Sequence, residues 1–338
     1  MIKASFFLSI YLKNKVFDIN DFIVNRDNSA YLYFKLKDVF FENRINLSTQ
    51  DINSINESKI VIYNDMPKIL PNREDIKKSY LLLFESELIK PENWNLEKHK
   101  YFNKIFTWND KIIDNKKYFK INFSHLFPKS INKDLSKKEK LCTLIAGNKK
   151  VNHQLELYSR RIEAIRWFEK NHPNDFDFYG VGWDEYLFSN KYVRYGFRKL
   201  KLSKLFKCFK SNFPSYKGKI DSKKEVLEKY KFAICYENAR DIVGYITEKI
   251  FDCFFAGCIP IYWGANNITE HIPKECFIDK REFDSYEKLY EYITNLSDEK
   301  YLNYLDAIEN YLNSSQADQF RAEFFANTIV KTILNDIK

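Results

Sequence analysis

A glutamate and a lysine stand side by side where an apolar segment begins. In GYITEKIFDCFFAGCIPIYWGANN, residues 244–267, the polar side chains Tyr245, Glu248 and Lys249 precede a run that must be buried. Just upstream, KFAICYEN reads as a strand ending in Glu237 and Asn238, followed by the polar loop ARDIVG. Thr247 then takes the N-cap of a helix, with Glu248 and Lys249 in its first turn and Gly257 ending it. A helix N-terminus offers unpaired N–H groups and partial positive charge, which suits a glutamate and not a lysine. A lysine becomes favourable there once an anion bridges it to the helix, and a diphosphate is such an anion. The competing reading is a lysine extended into water beside an ordinary first-turn acid. Pro260 falls inside the next strand, against the rule for a central ladder, and local rules tend to fail near functional sites.

These residues need a frame to hold them. A length of 338 residues exceeds the roughly 100–200 of one domain, so two domains are expected. In the first half ASFFLSIYL, KIVIYND, SYLLLFES and KIFTW read as strands, SAYLYFKLKDVFFENR as an amphipathic helix and REDIKK as a short one. The second half repeats the theme. LCTLIAGN and DFDFYGVGW are strands around the helix ELYSRRIEAIRWFEKNH. EVLEKYKFAICYEN gives a helix and a strand, TEKIFDCFFAG a helix and CIPIYWG a strand. SYEKLYEYITNL and the segment from DQFRAEFFANTIV onward close the chain as helices. Apolar runs alternating with helices imply parallel sheets covered on both faces. The expected fold is therefore α/β, with two parallel-sheet domains, residues 1–139 and 140–338, joined through the lysine-rich PKSINKDLSKKEK. Ligands of such sheets gather at the carboxyl ends of the strands, which is where the Glu248–Lys249 pair lies.

Composition narrows the chemistry. All eight glycines lie between Gly147 and Gly264, with neither a GxGxxG fingerprint nor a P-loop, so a nucleotide would be held by side chains and helix N-termini. Six cysteines, none in a CxxC pair, sit mostly in apolar runs and read as buried thiols. Five scattered histidines show no ligand spacing, which leaves only a carboxylate-held magnesium open as a metal site. The formal charge of +9 suggests an anionic partner, and much of it is concentrated in residues 194–219. That stretch fits an acidic membrane surface or nucleic acid, or simply a solvated basic helix face and loop. With no run of about 18 apolar residues and no cleavage pattern after the N-terminal apolar run, a cytoplasmic protein is expected, peripheral at most to the membrane.

The ordered pattern over residues 229–268, KYKFAICYENARDIVGYITEKIFDCFFAGCIPIYWGANNI, closely resembles the donor-binding segment of the α-1,3-fucosyltransferases. That family runs from an apolar strand through F-E-N-S, a loop, Y-[IV]-T-E-K and an apolar helix to P-[IV]-x-x-G. LFESELIKPENW, residues 83–94, resembles its F-E-S stretch, and YKGKIDSKKEVLEKYKF its lead into the donor motif. One departure is Ala239, where the family has serine, so any hydrogen bond from that hydroxyl is missing.

The resemblance implies two Rossmann-like domains facing a cleft in the GT-B manner, the first for an acceptor sugar and the second for GDP-fucose. Asn238, Tyr245, Glu248 and Lys249 fall on donor-site positions: Lys249 on the diphosphate, Tyr245 and Glu248 on ribose or fucosyl groups. The family also places an arginine on the helix after the first strand of the second domain. Arg161 has Ala164, Ile165 and Phe168 at +3, +4 and +7, a buried face, and its fork can grip phosphate oxygens. Arg160 is its rival, and the remaining arginines read as partners of Glu163 or Glu156. Glu85 matches the family's general base, with Glu87 as the decoy two residues on. A single displacement would invert the anomeric configuration, with GDP leaving toward Arg161, Lys249 and the helix N-terminus, and with no metal or other cofactor required. Trp94, Trp108 and Trp183 are candidates to stack on a sugar, or core residues. Asp65 and Arg26 lie near element ends in the acceptor half. The expected activity is transfer of fucose to a GlcNAc-containing glycan, α-1,3-linked, with no nucleic acid partner. The alternatives are the same fold with another sugar nucleotide or linkage, or a basic, aromatic-rich module for nucleic acid or acidic surfaces.

Overall fold

The computed structural model describes residues 1–183 and 213–337. Most of the basic stretch 194–219, with Cys208 in it, lies outside the described residues. Two all-parallel sheets form the frame. The first has the order β2-β1-β3-β4-β5-β6, built from β1 (Ile2–Phe7), β2 (Ile45–Thr49), β3 (Ile60–Asn64), β4 (Ser79–Leu83), β5 (Lys104–Thr107) and β6 (Tyr118–Lys120). The second has the order β11-β10-β9-β7-β8, from β7 (Lys140–Ile145), β8 (Phe176–Tyr179), β9 (Tyr230–Tyr236), β10 (Ile259–Trp263) and β11 (Ile278–Asp279). Described helices are α1 (Tyr31–Glu42), α2 (Leu96–His99), α3 (Tyr158–Asn171), α4 (Lys223–Leu227), α5 (Glu248–Phe255), α6 (Ile268–His271), α7 (Tyr286–Thr294), α8 (Asp298–Leu312) and α9 (Ala322–Ile337).

The buried strands explain the near-continuous apolar runs. In β4 every residue is buried, and in β9 all but Lys231 are, as expected of parallel strands covered on both faces. Pro260 is tolerated for a local reason. The amide of Glu237 donates to the Trp263 carbonyl at 2.8 Å, so alternate residues of β10 address β9. Pro260 points the other way, where β11 pairs only with Ile261 and Tyr262. Its missing N–H leaves no ladder bond unmade.

Several elements were not expected. β2, β6 and β11 are short strands with polar or alternating sequence, and α8 fills the interval after SYEKLYEYITNL. The first strand also stops at Phe7, short of the expected SIYL. The final helix differs from expectation in its partner. It packs on the first sheet, with Phe325, Ala326, Ile329, Val330 and Ile333 buried in one cluster with Leu36, Phe40 and Leu82. Each such large apolar side chain contributes about 1.5–3 kcal/mol when fully buried. Its end is tied down as well, since Asp336 pairs with Lys104 at 2.5 Å and accepts from the Tyr80 hydroxyl at 3.2 Å. The physical reason is that its apolar face completes the cluster that α1, Val16 and Phe17 make over the first sheet.

The chain thus crosses between the halves twice, in 121–139 and in 313–321, and the two crossings lie together. His125 donates its amide to Phe320 at 2.8 Å and accepts from Ala322 at 3.0 Å. A second seam joins Asp110 of the first half to His271 at 2.9 Å and Asn267 at 3.0 Å. Trp108 packs on Tyr245 with ring centroids 4.8 Å apart. No described helix is long and apolar enough to cross a membrane.

Candidate active site

The second sheet reverses direction at β7, whose neighbours are β8 and β9, and open α/β sheets bind ligands at the carboxyl side of such a switch point. A cavity of about 340 Å³ lies there, walled by Ala146, Gly147, Gly180, Tyr236 and Asn238 at the strand ends. Helix α3 aims Arg161 into it, because Ala164, Ile165 and Phe168 fix the apolar face of that helix in the core. The guanidinium is buried, and its Nη2 donates to the Tyr236 carbonyl at 2.6 Å and to Asn238 Oδ1 at 3.1 Å. It also lies over the Tyr158 ring, 4.9 Å from the centroid. Both hydrogen-bond partners are neutral oxygens, so the charge itself is uncompensated by a contacting carboxylate. Burial lowers its basicity, which marks the cost of holding that charge without an anion. Arg160, the rival, is exposed and pairs with Glu163 at 2.5 Å outside the cavity.

Lys249 does not extend into water. Its Nζ turns back to Thr247 Oγ1 at 2.9 Å, Glu237 at 3.3 Å and Glu248 at 3.4 Å. Burial opposes its charge, but Glu248 and Glu237 outweigh this and raise its pKa. For Glu248, burial again opposes ionisation, and Lys249 with Lys223 overcomes it, holding the carboxyl below the usual range. Thr247 occupies the N-cap position of α5, yet its hydroxyl makes no cap bond to the helix. It donates to Glu237 Oε2 at 2.7 Å, while its amide donates to Oε1 at 2.8 Å. Glu237, fully buried at the end of β9, therefore fixes the start of α5 and its lysine together. Gly264 makes room for it, since a Cβ there would stand 2.5 Å from Glu237 Cγ and 2.3 Å from Tyr262 Oη. Gly257 ends α5 at φ 59°, as expected of a left-handed terminator.

Tyr245 is brought near these groups but does not line the cavity. It is buried against Trp108 and Phe123 of the first half, and its hydroxyl accepts from Asn238 Nδ2 at 3.4 Å. Its place is behind Asn238, orienting that amide.

The first half presents Glu85 at the carboxyl end of β4, in a second cavity of about 770 Å³. Asp65, at φ 62°, fixes that strand exit: its Oδ1 accepts from Phe84 N at 2.8 Å, Glu85 N at 3.1 Å and Asn93 Nδ2 at 2.8 Å. Asn93 and Trp94 donate to the Glu85 carbonyl at 3.0 and 3.1 Å, and Trp108 to the Phe84 carbonyl at 2.8 Å. Two of the three tryptophans thus hold the backbone on which Glu85 is mounted. The third, Trp183, donates to Ala146 at 2.6 Å. Desolvation, then the nearby Asp65, push the Glu85 carboxyl up, with Glu248 adding and Lys149 and Lys249 opposing. Glu85 and Glu87 are both exposed, but Glu85 lines the larger cavity and Glu87 lines neither.

The two cavities share Arg26, Lys223, Glu248 and Asp252, so they are contiguous. Glu237, Lys149 and Lys223 carry no site role in the sequence reading, which names Arg26 only as lying near an element end in the acceptor half. Glu237 directly follows β9 and Lys149 lies in the loop after β7, so a charged residue just past the carboxyl end of a buried parallel strand was the available signal. Lys223 and Arg26 lie in loops and short helices and carry no such mark. Among the described residues no cluster of three or more His, Cys, Asp or Glu is placed to hold a metal ion. Cys142, Cys235, Cys253, Cys258 and Cys276 are free and buried.

Comparison with known proteins agrees with this layout. A solved α1,3-fucosyltransferase with GDP-fucose superposes with a TM-score of 0.59 at 17% identity, over 99% of this chain and 91% of that one. A solved α-glucosyltransferase in complex with UDP and DNA gives 0.56 at 12% identity, over the full length of both. These likenesses establish the fold, that of two-sheet glycosyltransferases. In sequence, the α-(1,3)-fucosyltransferase of Helicobacter pylori is 36% identical over 116 residues, 34% of this chain and 23% of that protein. Less than a quarter of that relative's length is matched. Residues 183–330 match the family model described as glycosyltransferase family 10 (fucosyltransferase), C-terminal part. Residues 183–330, which include Asn238, Tyr245, Glu248 and Lys249 but not Arg161, thus resemble the C-terminal part of the glycosyltransferase family 10 fucosyltransferases.

Proposed function

We propose that the protein transfers L-fucose from GDP-fucose to a hydroxyl of a GlcNAc-containing glycan, α-1,3-linked and with inversion at the anomeric carbon. The observation that carries this reading is the pair of contiguous cavities: the buried Arg161 and the part-buried Lys249 line one, the Glu85 carboxylate lines the other, and Glu248 lines both. Arg161, Lys249 and the N-terminus of α5 receive the diphosphate, and Asn238, braced by Tyr245, orients Arg161. Glu248 faces the sugar at the junction. Glu85 takes the acceptor proton as the hydroxyl attacks, and its raised pKa makes it a better acceptor than an ordinary carboxylate. The charge released onto the leaving diphosphate meets groups already in place, which is where such sites gain most of their rate.

A nucleic-acid-binding module is disfavoured by the same geometry, because its cations would face outward to track a backbone, whereas Arg161 and Lys249 are turned into a cavity. The test is nucleotide release from a panel of GDP- and UDP-sugars, with and without N-acetyllactosamine. Acceptor-dependent GDP release from GDP-fucose alone, and an α-linked product by NMR, support the reading. Turnover of only a UDP-sugar, or of none, rejects it.

A further inference from the structure

One residue of the donor cavity does not come from the second half. Of the side chains lining the smaller cavity, Arg26 alone precedes Leu144 among the described residues, and it lines the larger cavity as well. It therefore stands where the bond to be broken must lie, between the diphosphate groups and Glu85. Its guanidinium makes one long ion pair among the described residues. The nearest acid is Asp27, 3.6 Å from Nε, with no hydrogen bond between them, and nearly half of the side chain is exposed.

The loop that carries it is built rather than slack. Asn25 Nδ2 donates to the Ile19 carbonyl at 2.9 Å, and Asn25 Oδ1 accepts from Ala30 N at 3.1 Å. Asp27 and Asn28 both adopt left-handed backbone, φ 54° and 60°, which non-glycine residues rarely do twice in succession. What holds Asp27 there is a contact across the cleft: its Oδ1 accepts from the amide of Lys223 at 2.9 Å, while Lys223 Nζ pairs with Asp252 at 2.7 Å. The loop is thus fastened to the donor half at the one point that sets Arg26 over the junction. With it the cavity wall carries five cationic side chains, Arg26, Lys149, Arg161, Lys223 and Lys249, against two carboxylates, Glu248 and Asp252.

We propose that Arg26 is a catalytic residue of the transfer, contacting the diphosphate from the acceptor half, and that Asp27 positions it. This rests on the reading that a nucleoside diphosphate leaves. As the acceptor oxygen bonds to the anomeric carbon and gives its proton to Glu85, the bond from that carbon to the diphosphate oxygen breaks. Its electron pair stays on the diphosphate, and the planar fork of Arg26 hydrogen-bonds the oxygen that gains the charge. The fifth cation of the donor cavity is thereby supplied by the acceptor half.

The test pairs nucleotide-binding calorimetry with kinetics on Arg26→Ala, Arg26→Lys, Asp27→Asn and, as an exposed control for lost charge, Lys15→Ala. Arg26→Ala should weaken GDP about tenfold and GMP less than twofold, and cut kcat about 10- to 100-fold. Added guanidinium should restore part of that kcat, Arg26→Lys should retain part, and Asp27→Asn should fall between. Lys15→Ala should match wild type. Wild-type GDP affinity and kcat in Arg26→Ala overturn the proposal, as does equal weakening of GDP and GMP without guanidinium rescue. If the wild-type protein prefers UDP, the fucosyl reading fails while UDP against UMP still tests Arg26. If it binds no nucleoside diphosphate, both fall.

Discussion

Replacing Glu85 by glutamine isolates the proton transfer from everything else at the site. The backbone of Glu85 is fixed by Asp65, Asn93 and Trp94, none of which touches its carboxylate, so the amide is mounted as the acid was. The lost function is that of a positioned base, which typically contributes 10²–10⁴-fold, or about 3–5 kcal/mol of barrier. Donor binding should be unchanged or slightly tighter, since the variant removes a negative charge near the diphosphate groups. Stability should stay within about 0.5 kcal/mol, as for a surface change that breaks no bond. The pH profile supplies a second reading. A base must be deprotonated to act, and desolvation with Asp65 and Glu248 raises the Glu85 pKa. The acidic limb of kcat/KM should therefore fall at a higher pH than the roughly 4.3 of an ordinary glutamate, and vanish from the residual rate of the variant. Continuous GDP release measures turnover and calorimetry with GDP measures binding. Wild-type turnover in Glu85→Gln, or equal loss of GDP affinity and turnover, would refute the assignment.

Other consequences of the geometry are equally open to measurement. Lys249→Ala should cost about 3–4 kcal/mol of barrier, roughly 100- to 1,000-fold in kcat, and weaken GDP; a variant that keeps both would return the lysine to a structural role. Glu237→Ala leaves Lys249 and the Thr247 hydroxyl and amide without their buried partner, so urea denaturation should show a loss of about 3–5 kcal/mol. His125 is pushed down to about 4, chiefly by burial, so the folded state excludes a proton that the unfolded chain accepts below about 6.5. Its contribution is intact above that pH and is lost as pH falls toward 4. Between pH 7 and 4 wild type should therefore lose up to about 3 kcal/mol more stability than His125→Phe, and parallel curves would exclude this.

How much of this could be read from the chain depended on what each segment buries. KIVIYND, SYLLLFES and CIPIYWG declare themselves because both faces of each strand are covered, which leaves an apolar run with no competing interpretation. INLST is mostly buried but polar in sequence and β11 has only two residues, so neither imposes an apolar pattern, and their pairing is decided by neighbours far along the chain. The choice between Arg160 and Arg161 followed from helical spacing, since only the residue in phase with Ala164, Ile165 and Phe168 could be buried. For Tyr245 the donor motif marks the position but not its packing: Trp108 and Phe123 cover it, and no local signal reports a contact made across 137 positions to Trp108. Lys223 was illegible for the same reason, because what joins it to the Arg26 loop is a single bond from its amide to the Asp27 carboxylate between the halves.

The paired crossings at 121–139 and 313–321 have a mechanical consequence. Two covalent straps laid side by side and bonded to each other, at His125 with Phe320 and Ala322, act as a ribbon hinge. Such a hinge resists torsion and shear between the sheets and leaves one soft degree of freedom, a rocking that opens and shuts the mouth opposite it. Opening that mouth requires no unfolding, but it must break the Asp27 fastening at Lys223 together with the seam that Asp110 makes with His271 and Asn267.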